Sequence, residues 1–335
     1  MNNADDKPLF SVILPTYNRS GVLGRAIRSV QDQDWRDWEL LVVDDGSTDD
    51  TPLVVGSFGD DRILYIPVVH GGSSAARNVG LQWARGKYLC FLDDDDAYLP
   101  HHLGSFARLL RVQDFPDKVL RTGLLGVSAG VVRKYPVFRR YMGNEDPVRY
   151  FLFHLCSVGT LCIPAGARQV LRFSVALEDW EDTHFILRLL LVYPFVQLED
   201  RTYLYYKNEE CGSVKCYRDV EAMCLQLERV AAAMEALIAD HPALRERISW
   251  GDRKRWLSHQ YLLYAHQANV ELGAAASWQL VEEAWRKGLV WFQWPLYGWL
   301  WLKLHLRIRE GYRISKAVSR IALKLYRRKA RCRTG

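Results

Sequence analysis

The chain has 335 residues, enough for one large domain or two. Its apolar and charged fractions, 49% and 25%, are ordinary for a globular protein and exclude a low-complexity or disordered chain. The net charge of +6 is uneven: residues 303–335 hold twelve Lys or Arg against one acid, Glu310, so the basic character belongs to the tail and the body is net acidic.

Seven scattered cysteines, with no Cys-x-x-Cys pair and no His partners at zinc spacing, argue against a disulfide framework and show no zinc-binding pattern. They suit a reducing cytosol. Met1 to Pro8 is polar and acidic and lacks a signal-peptide apolar region.

In chain order, Leu9 to Leu14 reads as a strand that ends at Pro15-Thr16-Tyr17-Asn18. Val22, Leu23, Ala26, Ile27 and Val30 fall at helical spacing between Arg19 and Asp32. Glu39 to Val43 is a second strand, ending at Asp44-Asp45-Gly46-Ser47, and Ser47 or Thr48 can cap a short helix to Phe58. Ile63 to Val69 is a third strand, ending at His70-Gly71-Gly72, and Ser73 and Ser74 open a helix to Arg85. Tyr88 to Leu92 is an apolar run that reads as a strand buried on both faces. It stops at four consecutive aspartates, Asp93 to Asp96, and Pro100 starts a helix from His101 to Val112.

Strand and helix thus alternate four times, which predicts an α/β fold with a mainly parallel sheet and helices on both faces. Ligands of such sheets bind beyond the carboxyl ends of the strands, where each polar cluster here falls. Four adjacent carboxylates repel one another, and a hard divalent cation bridging them to substrate phosphates is one remedy. A solvated acidic turn that caps the next helix is the other reading.

After Phe115 the pattern weakens. Leu120 to Tyr135 and Val158 to Ile163 read as strand regions, and Gly166 to Phe173 as a short helix. Phe185, Leu189 and Val192 make Thr183 to Val192 a helix, with Glu181 and Asp182 at or just before its N-terminus, where the dipole favours ionised acids. From Arg218 onward the chain reads as helices over Asp219 to Ile238, Pro242 to His266 and Ser277 to Lys287. The expected domains are 1–213 and a helical 214–335, with a boundary near Ser213.

Ser-Val-Ile-Leu-Pro-Thr-Tyr-Asn-Arg, Val-Val-Asp-Asp-Gly-Ser-Thr-Asp, Ala-Arg-Asn-Val-Gly-Leu and Phe-Leu-Asp-Asp-Asp-Asp stand in this order. The chain therefore resembles the family 2 glycosyltransferases of GT-A, Rossmann-like fold, densely over residues 9–113 and thinly to Ser213. The resemblance implies transfer of a sugar, with inversion, from a nucleoside diphosphate donor (UDP favoured) to a glycan or lipid-linked acceptor. It implies that Pro15, Thr16, Tyr17, Asn18 and Asp45 hold the nucleoside. Gly72, Arg77, Asn78, Asp93 and Asp94 would lie at the donor, with Arg77 and Asn78 near the pyrophosphate or the loop that shapes its site. Asp95, with Asp93, would hold Mn²⁺ or Mg²⁺.

A base must come from elsewhere, because a metal-bound leaving group and an incoming acceptor cannot share one carboxylate. Two pairs compete, Glu178-Asp179 and Glu181-Asp182. The family pattern of Glu-Asp, five residues, then Arg-Leu fits Glu181-Asp182 with Arg188-Leu189. Asp182 is thus expected as base and Glu181 as its support, with Trp180 a candidate to stack on an acceptor sugar. Lys207-Asn208-Glu209 stands where many relatives carry a His.

Val290 to Ile308 holds four tryptophans and a tyrosine, interrupted by Gln293, Pro295, Gly298 and Lys303. It is a poor spanning helix, but its aromatics and the basic residues that follow suit an anionic membrane surface. A packed C-terminal helix and a nucleic-acid-binding tail are the other readings. The expected location is the cytoplasm, peripheral on the inner face of the cell membrane. A nucleotide-binding oxidoreductase would need Gly-x-Gly-x-x-Gly after the first strand, where Pro15 to Asn18 stands. A nucleotidyltransferase of related fold and a catalytically inactive membrane adaptor are the remaining alternatives.

Overall fold

A computed structural model of the chain describes residues 7–128, 130–134, 140–154, 157–177, 179–206 and 219–289. Glu178, the 207–218 segment with Lys207 to Glu209 and Ser213, and the 290–335 tail lie outside the described residues. The chain divides into two compact units. Among the described residues, the first takes in those up to 206 together with Ala233–Arg247, and the second 219–232 and 248–289.

The first unit is built on strands β1 (Phe10–Thr16), β2 (Trp38–Asp44), β3 (Ile63–Pro67) and β4 (Tyr88–Phe91). Helices α1 (Ser20–Gln31), α2 (Thr51–Gly56) and α3 (Ser73–Trp83) connect them. These four strands are parallel, in the order β3-β2-β1-β4. Every residue of β1, β2 and β4 is buried, which is why these strands read as continuous apolar runs.

After β4 come β5 (Ala97–Tyr98), α4 (His102–Val112), the β6 (Val119–Ser128)–β7 (Val131–Lys134) pair and α5 (Pro147–Phe153). They are followed by β8 (Leu161–Pro164), α6 (Ala167–Val170), α7 (Glu181–Val192) and β9 (Phe195–Tyr206). Here the sheet becomes mixed. Strand β8 runs antiparallel to both β4 and β6, while β9 is parallel to β6 and antiparallel to β5. Strict strand–helix alternation stops after β4, which β5 follows directly, and with it the requirement for parallel pairing.

Helices cover both faces of the sheet. On one, Val12, Leu14, Leu40 and Val42 pack with Leu23, Ile27 and Val30 of α1 and with Leu103 and Phe106 of α4. On the other, α3 approaches β1 so closely that a Cβ on Gly80 would lie 2.4 Å from the Ile13 Cγ2. Phe91 of β4 meets Phe173 and Phe185 edge-on, and these two rings stack at 4.1 Å.

Helix α8 (Val220–Asp240) is followed by α9 (Pro242–Arg247), α10 (Trp250–Glu271) and α11 (Ala274–Arg286). The helix expected over Pro242 to His266 is broken at Ile248-Ser249. Ser249 and Asp252 form a reciprocal capping box that starts α10 afresh, and Ile248 turns into the interior. The core of the second unit is Met223, Leu227, Tyr261, Ala265, Ala268, Leu280 and Ala284. Among the described residues no helix is long and apolar enough to cross a membrane.

Candidate active site

The first two polar clusters meet at the carboxyl ends of β1 and β2. Pro15 and Thr16 are buried there, and Tyr17 and Asn18 are exposed. Asn18 has φ +51°, a conformation Asn tolerates better than most residues. Its side-chain oxygen accepts from the Thr48 amide at 2.7 Å, and its own amide donates to Ser47 Oγ at 2.8 Å.

Asp45, 3% exposed, organises the third cluster. Its two carboxylate oxygens accept from the Gly71 and Gly72 amides at 2.8 Å each, and His70 Nδ1 lies 2.9 Å from Oδ2. The Tyr17 ring stacks on His70 at 4.3 Å. Gly72, at φ +88°, turns the chain into α3, a conformation that favours glycine.

The four aspartates diverge. Asp96 is buried and accepts from Tyr203 Oη at 2.6 Å and from the Tyr206 amide at 2.8 Å, so it pins β9. Asp94 accepts from Thr16 Oγ1 at 2.8 Å; burial, with Asp95 adding to it, pushes its carboxyl up to about 7 against the pull of that bond. Asp93 and Asp95 keep 30% and 13% of their side chains exposed. Arg19 lies 3.7 Å from Asp95, and Arg25 of α1 donates to the Asp95 carbonyl while its guanidinium covers the Tyr206 ring. The sequence places His70 in a rim cluster and Arg19 in the first motif without giving either a role, and nothing local marks Arg25.

The second carboxylate pair arrives from α7. Glu181 and Asp182 are its first two residues, preceded by Trp180 at φ +70°, an unusual conformation for so bulky a side chain. Arg188, one face along the helix, donates to the Arg172 carbonyl at 3.1 Å and ties α7 to the segment before it. Asn78 holds the same segment: its amide gives to and takes from the Phe173 backbone at 2.9 and 2.8 Å.

Arg77, 6% exposed, lies between the two sets of acids. Its Nη2 donates to Asp93 at 2.9 Å, and its Nη1 lies 3.3 Å from Glu181 and 3.8 Å from Asp182. Asp182 Oδ2 accepts from the Val158 amide at 3.1 Å, while Oδ1 is buried and makes no hydrogen bond. Burial pushes the Asp182 carboxyl up to about 7; Arg77 opposes this, and Glu181 and Asp93 add to it. Burial also raises Glu181.

Among the described residues, no group of three or more acids, histidines or cysteines forms a cage for a metal. Asp93 and Asp95 are hard oxygen donors that stay partly exposed at one strand end. That donor set fits a divalent cation that takes one or two carboxylates and fills its remaining positions with phosphate oxygens and water.

A mostly parallel α/β sheet with this acid-lined rim has the GT-A-like fold. Solved structures share it: the 1–349 region of Staphylococcus aureus TarS in complex with UDP-GlcNAc has a TM-score of 0.55 at 22% identity, covering 83% of this chain and 92% of that one. A mannosyltransferase from Pyrobaculum calidifontis in complex with GDP-Man and Mn²⁺ has a TM-score of 0.52 at 16% identity, covering 95% and 85%. The family model "Glycosyl transferase family 2" matches residues 11–116. An Escherichia coli UDP-Glc:alpha-D-GlcNAc-diphosphoundecaprenol beta-1,3-glucosyltransferase is 39% identical over 186 residues, 55% of this chain and 71% of that protein. The chain belongs to the family 2 glycosyltransferases. It spans about half or less of the length of the first curated relatives it matches, at 51%, 33% and 37%.

Proposed function

We propose that this protein transfers a sugar, with inversion, from a UDP-sugar to a hydroxyl of a polyprenyl-diphosphate-linked glycan, a step of polysaccharide biosynthesis. The observation that carries this reading is Arg77, which brings Asp93, at the end of β4, together with Glu181 and Asp182, at the start of α7. A site for diphosphate departure and a site for proton removal thus adjoin. The UDP-GlcNAc held by the similar solved structure and the UDP-Glc and undecaprenol named for the Escherichia coli relative support donor and acceptor.

Tyr17, stacked on His70 beside Asp45, offers a platform for the base and ribose, with Pro15, Thr16 and Asn18 shaping its edge. Gly72 starts α3 beside it. Asp94 holds the β1 end through Thr16, and Asn78 keeps the Phe173 segment against α3. Asp95 and Asp93 would hold Mn²⁺ or Mg²⁺, which when bound offsets the charge developing on the diphosphate. Asp182 accepts the acceptor's hydroxyl proton at Oδ1, which makes no hydrogen bond and lies 3.8 Å from Arg77 Nη1, and a carboxyl raised to about 7 is matched to that task near neutral pH. Trp180, next to that pair, would face the acceptor sugar. The basic, aromatic 290–335 tail would keep the enzyme on the inner membrane face that carries its acceptor.

The test is UDP release from UDP-Glc, UDP-GlcNAc and UDP-Gal in the presence of a polyprenyl-diphosphate-GlcNAc acceptor, with Mn²⁺ and with EDTA. Acceptor-dependent release that EDTA abolishes is expected. Absence of release from every donor overturns the assignment.

A further inference from the structure

The family resemblance puts Arg77 near the donor pyrophosphate or the loop that shapes its site, and in the structure its guanidinium is occupied by carboxylates on two sides. Nη2 is bonded to Asp93 and Nη1 faces Glu181 and Asp182. Nε is buried and makes no hydrogen bond, and the guanidinium lies 5.4 Å over the Phe173 ring. With 6% of the side chain exposed, little of it remains for a phosphate. Asn78, the next residue, is bonded through both ends of its amide to Phe173, so the floor beneath Arg77 is fixed as well.

We infer, resting on the function proposed above, that Arg77 is a positioning residue shared by both halves of the site: it orients Glu181 and Asp182 for the acceptor and ties them to Asp93, rather than binding the donor's phosphates. Three acids face one guanidinium. The charged groups around Asp182 are Arg77, Glu181 and Asp93, and of these Arg77 alone favours its ionised form. Removing Arg77 leaves like charges crowded and partly buried, a larger penalty than the loss of one exposed ion pair.

Four variants test this: R77K, R77M, E181Q/D182N, and R77M/E181Q/D182N, which lacks Arg77 and has neutral acids on α7 too. R77M is expected to lower Tm by about 5 °C, and the triple variant to regain about half of that loss. If the triple variant loses as much as R77M and E181Q/D182N together, the acids are not coupled through Arg77 and the inference fails. The triple variant is also expected to keep the wild-type thermal shift with UDP and Mn²⁺. Loss of that shift would make Arg77 a donor ligand and overturn the inference. In R77K the acid limb of kcat should move up by about one pH unit, with donor KM within about threefold of wild type; an unmoved limb counts against it. A wild-type protein that shows no shift with UDP and Mn²⁺ contradicts the donor assignment instead, while the stability comparison still decides the role of Arg77.

Discussion

Arg77 and Glu181 stand 104 residues apart in the chain and 3.3 Å apart in space. The contact joins the start of α7 to α3, and through Asp93 to the end of β4. A helix that begins with two acids would ordinarily place them in solvent, where they interact with the dipole alone. Here they are brought to a buried guanidinium, and the chemistry proposed for Asp182 depends on that.

D182N should leave the thermal shift with UDP and Mn²⁺ near the wild-type value and reduce kcat by about 10²- to 10⁴-fold, the usual contribution of a positioned general base. Steady-state UDP release and thermal shift on the same preparation check both halves. Transfer at the native rate would show that the base lies elsewhere.

Asp95 and Asp96 are adjacent, but their variants should behave oppositely. D95A is expected to abolish the metal-dependent part of the UDP shift with little change in the Tm of the protein alone. D96A leaves Tyr203 Oη and the Tyr206 amide without an acceptor and should cost about 1–3 kcal/mol of stability. Urea unfolding separates the two.

The pH response follows from the raised carboxyl of Asp182. The native state holds that proton more tightly than the unfolded chain, so stability falls as pH rises between 3.8 and about 7 and then levels. Activity runs the other way, because the ionised form alone accepts a proton, and kcat should climb with an apparent pKa near 7. D182N should reduce the stability slope across that window in urea titrations. Glu181 and Asp94, both also raised, leave some slope behind.

G80A should destabilise the first unit by about 1–3 kcal/mol, because its Cβ would meet Ile13 at 2.4 Å inside a packed layer. Thermal unfolding of the purified variant checks the lowered Tm.

Removal of residues 290–335 should release the protein from vesicles containing anionic lipid while leaving UDP binding intact. Unchanged sedimentation with those vesicles would count against membrane attachment through the tail.

Much of this was legible in the residues. The apolar runs of β1, β2 and β4 are continuous because both faces are buried, and each ends at a polar cluster because the sheet ends there. The choice of Glu181-Asp182 over Glu178-Asp179 came from the family's spacing to Arg188, and in the structure Arg188 donates to the Arg172 carbonyl. Less legible were β5, α5 and the long β9, which lie where strand–helix alternation stops, and the break at Ser249, which a local capping box imposes on a continuous helical pattern.

By itself the sequence determined the parallel half of the sheet, because burial and strand ends leave a periodic trace in neighbouring residues, and its four linked motifs carried the resemblance to the family. The tertiary structure alone decided how the four aspartates divide, with Asp94 turned to Thr16 and Asp96 to Tyr203. It also decided that Arg77 serves carboxylates on two sides. Four identical side chains in a row carry no information about which one a distant strand or helix will engage; that depends on partners whose positions arise only when the sheet closes.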